Sequence, residues 1–578
     1  MLQRTIPLLL LLALAPAAQA QAPGGPILQE PDPDSPEFIG SAATAKPVFA
    51  PAVPRHPHMA PNGRSNLHSD AFMTDTNVWS GPLGRDTQTG STFQISDCAS
   101  VTFDSQGRIV TICVGIQRPR LKLFDPQTLE ELASMDLPPR EPNPDTGISI
   151  FQDFAGGGYF YLDEHDRSII PTTNRHLYVV SHASGSFVVE QDIDLNGVVS
   201  APDKIISALP DWDGLVWFAS TGGVVGTVDL ATGRMMATEL GEENQNSFTV
   251  GDEGEVYVVT EEALYRMDAD ATGMPRTTWR AEYPNSGVRK PGQVSAGSGT
   301  TPTVMGEWVA ITDNAEPMNV VVYERAGARE ICRRPVFEEG SSATDNSLIG
   351  AGHSIVVENN HGYEGPSSTM EGARTSPGIE RVDIDADGRG CRTVWRSEET
   401  SPTVVPKLSL GNGLVYVYTQ GEEGDDDDPW YLTAIDFRTG ATAWKRLTGH
   451  GLGFNNNYAP VTIGPDGTAY VGVLGGLTFV RDADPPAQPR TTKSKIRLRV
   501  RPRRVRAGRR SRLRFRAVAP SGGVVAPVEG ARVRLRGRTV TTGRRGRARM
   551  RVRLKRPRSA RARKPGYRAD RTRVRVQR

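Results

Sequence analysis

YLTAIDFRTGATAW, residues 431 to 444, sets the reading of the whole chain. Leu432, Ala434 and Phe437 mark an apolar strand carrying Asp436, Thr439-Gly440 marks a turn, and a second strand rises to Trp444, so the stretch reads as the outer hairpin of a small antiparallel sheet. GLVYVYT, 413 to 419, precedes it as a further strand rich in β-branched and aromatic residues. The same order of parts recurs from about Ala99 to Arg481, and repeats of this length build propellers or solenoids.

Each unit divides into strand A, a tight turn, strand B, a polar loop, strand C, a second turn and strand D. SVTF, IVTICVG and LKLFD open the series in unit one; SFTV, VYVVT and LYRMD form unit four; SLIGAG, SIVVE, IERVDID and CRTVWR form unit six. Unit two is the least regular, with SIIPTT, HLYVVS and FVVEQDI. The last unit, APVTIGPDGTAYVGVLGGLTFVRD, holds only three strands, as expected where an N-terminal segment closes a ring and removes the free sheet edges. Residues near Val78 to Phe93 are placed to supply that strand. The expected fold is all-β: an eight-bladed β-propeller, with seven blades the alternative, followed by a small Arg-rich β-sandwich.

The run Ala434-x-Asp436-x-x-Thr439-Gly440-x-x-x-Trp444 resembles the blade motif of the quinoprotein-like (PQQ-like) β-propeller repeats, with weaker copies at Asp229 to Gly233, at Asp268 to Gly273 with Trp279, and at Asp383 to Gly388 with Trp395. Glycine accepts a left-handed turn, Asp and Thr hydrogen-bond turn backbone, and Trp buries a large area between sheets. The resemblance implies the fold. It does not carry a quinone, and PQQ is not supported by the sequence.

Residues 1–20 read as a secretory signal, with Arg4, an apolar core from Ile6 to Leu14, and Ala18 and Ala20 about the cleavage site. An apolar core of that length is too short to span a bilayer, and no second run of spanning length follows. A Pro/Ala-rich linker is expected over 21–65, the propeller over 66–484, a second linker over 485–495 and the basic sandwich, which resembles a small bacterial immunoglobulin-like domain, over 496–578. Charge divides the chain at the same place. Residues 491–578 hold 34 of the 68 Lys and Arg but only Glu529 and Asp570 as acids, leaving 34 basic against 64 acidic residues elsewhere. In IRLRVRP, LRFRAVA and ARVRLRG, arginine alternates with apolar residues at the period of a strand with one apolar and one Arg face. Such a surface attracts an anionic surface or polymer of the cell wall or envelope, or docks on the acidic propeller itself.

Four cysteines in an exported chain suit disulfides. A hairpin about Asp104 to Arg108 sets Cys98 against Cys113, whereas Cys332 and Cys391 fall on the outer strands of successive units, where separation disfavours a bridge.

In a propeller the D-to-A and B-to-C connections open on one rim. That places Lys204, Asn246, Thr301, Asn346, Lys407 and Asn457 beside Asn314, Asn359, Asn360, His361, Glu364 and the acidic run Asp425 to Asp428, around a mouth suited to a ligand or protein partner. The simpler expectation is that the amides satisfy strand-end backbone. Asp383-x-Asp385-x-Asp387-Gly388 copies the start of a calcium loop, but Val394 stands where the loop needs Glu, and the same residues read as a C-to-D turn. No nucleophile elbow, HExxH, P-loop or haem motif is present, so no catalytic residue is assigned. The sequence therefore points to a secreted, non-catalytic binding or scaffold protein. The alternative is a propeller enzyme, either a metal-assisted hydrolase such as a lactonase or a quinone-dependent dehydrogenase.

Overall fold

The computed structural model describes residues 21–29, 34–140, 150–153, 155–422, 424 and 426–577. The leader at 1–20 lies outside them. The described residues are all β, with single 3-10 turns and no α-helix, and sheets of four strands succeed one another along the chain as in a β-propeller. The first runs Thr102–Phe103, Ile109–Val114, Pro119–Phe124, Glu131–Asp136, and the pattern returns from 161, 205, 249, 303, 349, 407 and 461.

Burial explains the sequence pattern within a sheet. Ile205–Pro210, Val216–Ser220 and Val224–Val228 are buried on both faces because neighbouring sheets flank them, so they read as continuous apolar runs. The outermost strands, such as Glu131–Asp136 and Val188–Asp194, meet water and are polar. The innermost strands are often only two residues long. In the second sheet that strand is Tyr161–Leu162, and the SIIPTT stretch is its partner Ser168–Pro171.

The organising motif earns its place between sheets. Asp436 accepts the Arg438 N–H at 2.8 Å, while Gly440, at φ 76°, lies where any Cβ would fall 2.6 Å from the Trp395 ring of the preceding sheet. Trp395 Nε1 in turn donates to Phe437 O at 2.9 Å, and Trp279 donates likewise to Arg325 O at 3.0 Å. Each Trp thus latches its own sheet to the turn of the next.

The sheet of Val461–Ile463, Ala469–Val473 and Gly476–Asp482 is completed by Thr87–Phe93, antiparallel to Gly476–Asp482, and the Asp482 carboxylate accepts the N–H groups of Leu83, Gly84 and Arg85.

The stretch expected as a linker is more ordered than its composition suggests. Phe38–Gly40 adds a strand beside Thr442–His450. At the end of the expected linker and the start of the expected propeller, residues 65–77 are buried throughout. Their carbonyls accept inner-strand N–H groups sheet by sheet: Ser65 from Leu162 at 2.7 Å, Ala71 from Val250 at 3.2 Å, Phe72 from Val304 at 2.9 Å, Thr74 from Gly350 at 2.9 Å and Asp75 from Leu408 at 3.0 Å. This segment plugs the propeller axis. Its charge is compensated locally, since Asp75 holds His68 Nδ1 at 2.9 Å and Lys407 Nζ.

Both cysteine pairs are bridged. Cys98–Cys113 joins as the hairpin implied; Cys332–Cys391 is also joined, against expectation, because Glu330–Pro335 and Cys391–Ser397 are neighbouring outer strands with the two Cα atoms 5.8 Å apart. Two disulfides suit an oxidising compartment. No helix among the described residues is long and apolar enough to cross a membrane.

Beyond 495 two further sheets enclose one core. Arg497–Arg501, Arg510–Ser521, Val524–Pro527 and Arg547–Arg553 form the first; Arg504–Arg506, Asp570–Gln577, Arg558–Arg563, Arg532–Leu535 and Arg538–Thr541 form the second. Leu498, Phe515 and Met550 of the first meet Val533, Ala562 and Val574 of the second. The hairpin tip Ser521-Gly522-Gly523 docks on the propeller. His353 Nδ1 bonds Ser521 Oγ at 2.8 Å, Gly523 N–H donates to Ser354 Oγ at 2.8 Å, His353 N–H donates to Ser521 O at 3.3 Å and Gly522 N–H to Phe49 O at 3.2 Å.

Candidate functional site

A cavity of about 390 Å³ opens where inner strands begin, with Leu67 of the axial segment among its lining residues. Residues just ahead of three inner strands contribute Asp97, Asp345, Asn346, Asn457 and Tyr458; Tyr159, Arg140, Asp153, Ser96, Ser100 and Ser347 add to its polar lining. Ile95, Ile116, Phe151 and Leu452 also line it, and they are 39 to 76% exposed, so the mouth has an apolar collar above a polar interior.

The interior carboxyls are expensive to ionise. Burial holds Asp97 well above the ordinary carboxylate range, against the Asn457 amide and the Arg140 guanidinium. Burial also pushes Asp345 up to about 8, eased by the Val294 N–H and by Arg289. Behind Asn346 lies Glu358, raised well above its usual value by burial, lowered in part by the Asn346 amide and raised again by Asp345. Asn346 Nδ2 donates to Glu358 Oε2 at 2.7 Å and to Asn360 Oδ1 at 3.1 Å. Among the described residues Asn346 Oδ1 and Glu358 Oε1 are buried without a hydrogen-bond partner. Unpaired buried polar atoms invite a partner from water or ligand.

Of the residues singled out from sequence, Asn346 and Asn457 line this cavity. Asn457 donates to Phe151 O at 3.0 Å and accepts the Tyr363 hydroxyl at 3.0 Å. Asn360 stands behind Asn346, accepting the Asp345 N–H at 2.7 Å and donating to Pro402 O at 2.8 Å. Lys204 Nζ meets Asp153 at 2.8 Å, and Lys407 is held by Asp75 and Leu67 O. Three others serve backbone: Asn246 donates to Ser298 O at 2.7 Å, Asn314 to Ala296 O at 2.6 Å and Asn359 to Ser341 O at 2.9 Å. His361 Nδ1 pairs with Ser376 Oγ at 3.0 Å, and burial lowers its basicity. Thr301 is fully buried, Glu364 is exposed, Asp428 caps Gly372 at 2.9 Å, and Asp425 lies outside the described residues. Asp97, Asp345, Glu358 and Tyr159 were not singled out from sequence. For Asp97 and Asp345 the available signal was position alone, since they precede inner strands as Asn457 does.

Asp383, Asp385 and Asp387 are spread along a strand end and its turn. Asp383 is buried and bound by Arg381 at 2.8 Å, Asp385 is bound by Arg392 at 2.6 Å, and Asp387 is exposed. Arginine thus stands where a cation would, and Arg381 lies directly beneath the docked tip, with its guanidinium 4.1 Å from the Phe437 ring centroid. The grouping of metal-type ligands found among the described residues is Asp163, Glu164 and His165, a largely exposed turn in which Arg167 already binds Asp163 at 2.7 Å.

The tail carries its charge in register. On the first sheet Arg499, Arg516 and Arg547 lie directly opposite one another, as do Arg501, Arg514 and Arg549; Arg512 faces Arg551 and Arg510 faces Arg553. On the second sheet Arg571, Arg561, Arg534 and Thr539 form one row and Arg563, Arg532 and Thr541 another. A groove of about 740 Å³ crosses this second face. Like charges directly opposite are unfavourable in a sheet. Desolvation, with Arg563 and Arg571 alongside, draws the Arg561 guanidinium below its ordinary value.

No family model matches the chain. It is 29% identical over 336 residues to an uncharacterized protein of Archaeoglobus fulgidus, an alignment covering 50% of this chain and 65% of that protein, so the chain spans less than two thirds of that relative. Solved structures similar to it include BamB from Moraxella catarrhalis, with a TM-score of 0.34, 16% identity, and coverage of 62% of this chain and 94% of BamB. A protein from Lactobacillus plantarum is similar with a TM-score of 0.35 and 10% identity over 54% of this chain and 87% of that one. Both are likenesses of fold.

Proposed function

We propose that the chain is an exported binding protein: an eight-bladed propeller that takes a ligand at its mouth, carried on an Arg-rich, immunoglobulin-like sandwich that retains it at an anionic surface of the wall or envelope. The observation that carries the reading is the way the tail is docked. Its contacts with the rest of the chain are uncharged, through the tip Ser521-Gly522-Gly523 and through backbone bonds of Ala50 with Ser494 and of Ala52 with Gly566, and among the described residues Arg544 with Glu324, at 3.7 Å, is the one ion pair between tail and propeller. The propeller's acidic side chains therefore do not neutralise the arginine rows, and those rows stay available to an outside anion. Exposed charge of one sign on a fixed face attracts polyanions without any sequence-reading motif.

The test is retention of the full chain on an immobilised acidic polymer as salt is raised. Screening over about 10 Å at 0.1 M salt should release it steeply. Retention that ignores salt, or none at low salt, refutes the reading. A second reading, a hydrolase working from the mouth, draws on Asp345, a carboxyl pushed up to about 8 inside a cavity, as general acids require.

A further inference from the structure

The two arginine surfaces lie on opposite sides of one apolar core. Both sheets direct their apolar residues into the same core, so their alternating arginines point away from each other. The first face carries Arg497, Arg499 and Arg501, Arg510 to Arg516 at alternate positions, and Arg547 to Arg553 at alternate positions, all exposed. The second carries the rows through Arg534, Arg561 and Arg571 and the groove they line. The docking tip occupies the turn between two strands and covers neither face.

Resting on the retention reading above, we propose that the tail binds linear phosphate polymers on both faces at once and so bridges two polymer chains. Two features choose this partner. Of the 34 basic residues in 491–578, 30 are arginine, whose planar fork matches phosphate oxygens two at a time, where lysine offers only a point charge. Strands lie about 4.8 Å apart and alternate residues about 6.8 Å apart, so each face is a grid of forks, long in one direction, that a flexible chain can follow. A membrane is the poorer fit because a planar bilayer meets one face and leaves the opposite one unsatisfied.

The test is a two-chain capture with the full-length protein. Long-chain inorganic polyphosphate is immobilised, the protein is bound, and a second, fluorescent polyphosphate is added. One variant neutralises the first face (Arg512→Gln, Arg514→Gln, Arg549→Gln, Arg551→Gln), and another the second (Arg534→Gln, Arg561→Gln, Arg563→Gln, Arg571→Gln). The wild type should capture the second chain. Each variant should still bind the immobilised chain, within about tenfold of wild type by salt titration, yet lose capture. A four-fold Arg→Lys version of either face, which keeps charge and exposure, should fold as the wild type does and bind at least several-fold more weakly than the arginine form. Capture that survives in both single-face variants overturns bridging. Equal binding to polyglutamate, or binding only to phosphatidylglycerol vesicles, overturns the phosphate-polymer assignment. If the wild type binds none of these polyanions, the retention reading itself fails, which is distinct from bound protein that cannot bridge.

Discussion

Replacing Gly523 by alanine should lift the hairpin tip 521–523 from the propeller, while the backbone bonds of Ala50 and Ala52 to the tail remain. Gly523 is not among the residues with positive φ, so alanine is allowed by its backbone and the cost is purely steric. The new Cβ would fall 1.4 Å from Arg381 Nη2 and 3.0 Å from Asp383 Oδ2. One side must move. If the tip yields, the four tip hydrogen bonds are lost, a cost of about 2 to 6 kcal/mol at about 0.5 to 1.5 each. If Arg381 yields, buried Asp383 keeps only the longer pair with Arg392, at 3.7 Å, a loss of up to about 3 to 5 kcal/mol, together with the stacking on Phe437. Water can replace what the tip loses but cannot reach Asp383, so the tip should yield. Hydrogen exchange at the amides of His353 and Gly523 should accelerate by at least about 30-fold, the equivalent of the lower figure. Protease cutting within 485–495 should rise, and the propeller melt should stay within about 0.5 kcal/mol. Gly543→Ala, on the same tail with no atom within 4 Å of its Cβ, is the neutral control. Protected His353 and Gly523 amides alongside a propeller destabilised by several kcal/mol would show that Arg381 moved instead, and would refute the reasoning.

Three further outcomes are expected. Peptide mapping without reduction should recover Cys98 joined to Cys113, and replacing both by serine should cost about 3 kcal/mol for a loop of this length; free alkylation of both thiols in the native protein would refute the bridge. Lys407→Met strands Asp75 in the axial plug and should destabilise the propeller by about 3 to 5 kcal/mol in denaturant, whereas an unchanged midpoint would mean that His68 alone suffices. Burial pushes Asp70 up to about 7 against hydrogen bonds from Thr74 and Phe72, with Asp75 adding to the rise. The native state then holds a proton that the unfolded chain has released, so stability falls as pH rises from about 4 to about 7, and Asp70→Asn should flatten that slope in melts at pH 4.5 and 7.5.

The outer architecture was legible because its causes are local. Strands such as Leu414–Gln420, buried on both faces, must be runs of apolar and β-branched residues, and the turn at Thr439-Gly440 needs glycine beside a neighbouring Trp. The inner strands were harder to read, since a pair such as Thr102–Phe103 is too short for any period to show. Residues 65–77 borrow their order from the backbone of other sheets, which leaves no periodicity in their own sequence. The cavity was hidden for a related reason. Asp97, Asp345 and Asn457 come from three distant repeats, one or two residues each, and only ring closure brings them together.

Under the binding role proposed above, the axial plug fixes what kind of object the mouth can read. Because residues 65–77 stop the bore beneath the cavity, the channel is a cul-de-sac, and whatever goes in must back out the way it came. A long molecule cannot be threaded through such a dead end, so it can offer only a terminus or a protruding side group, and internal stretches of the same chain pass unread.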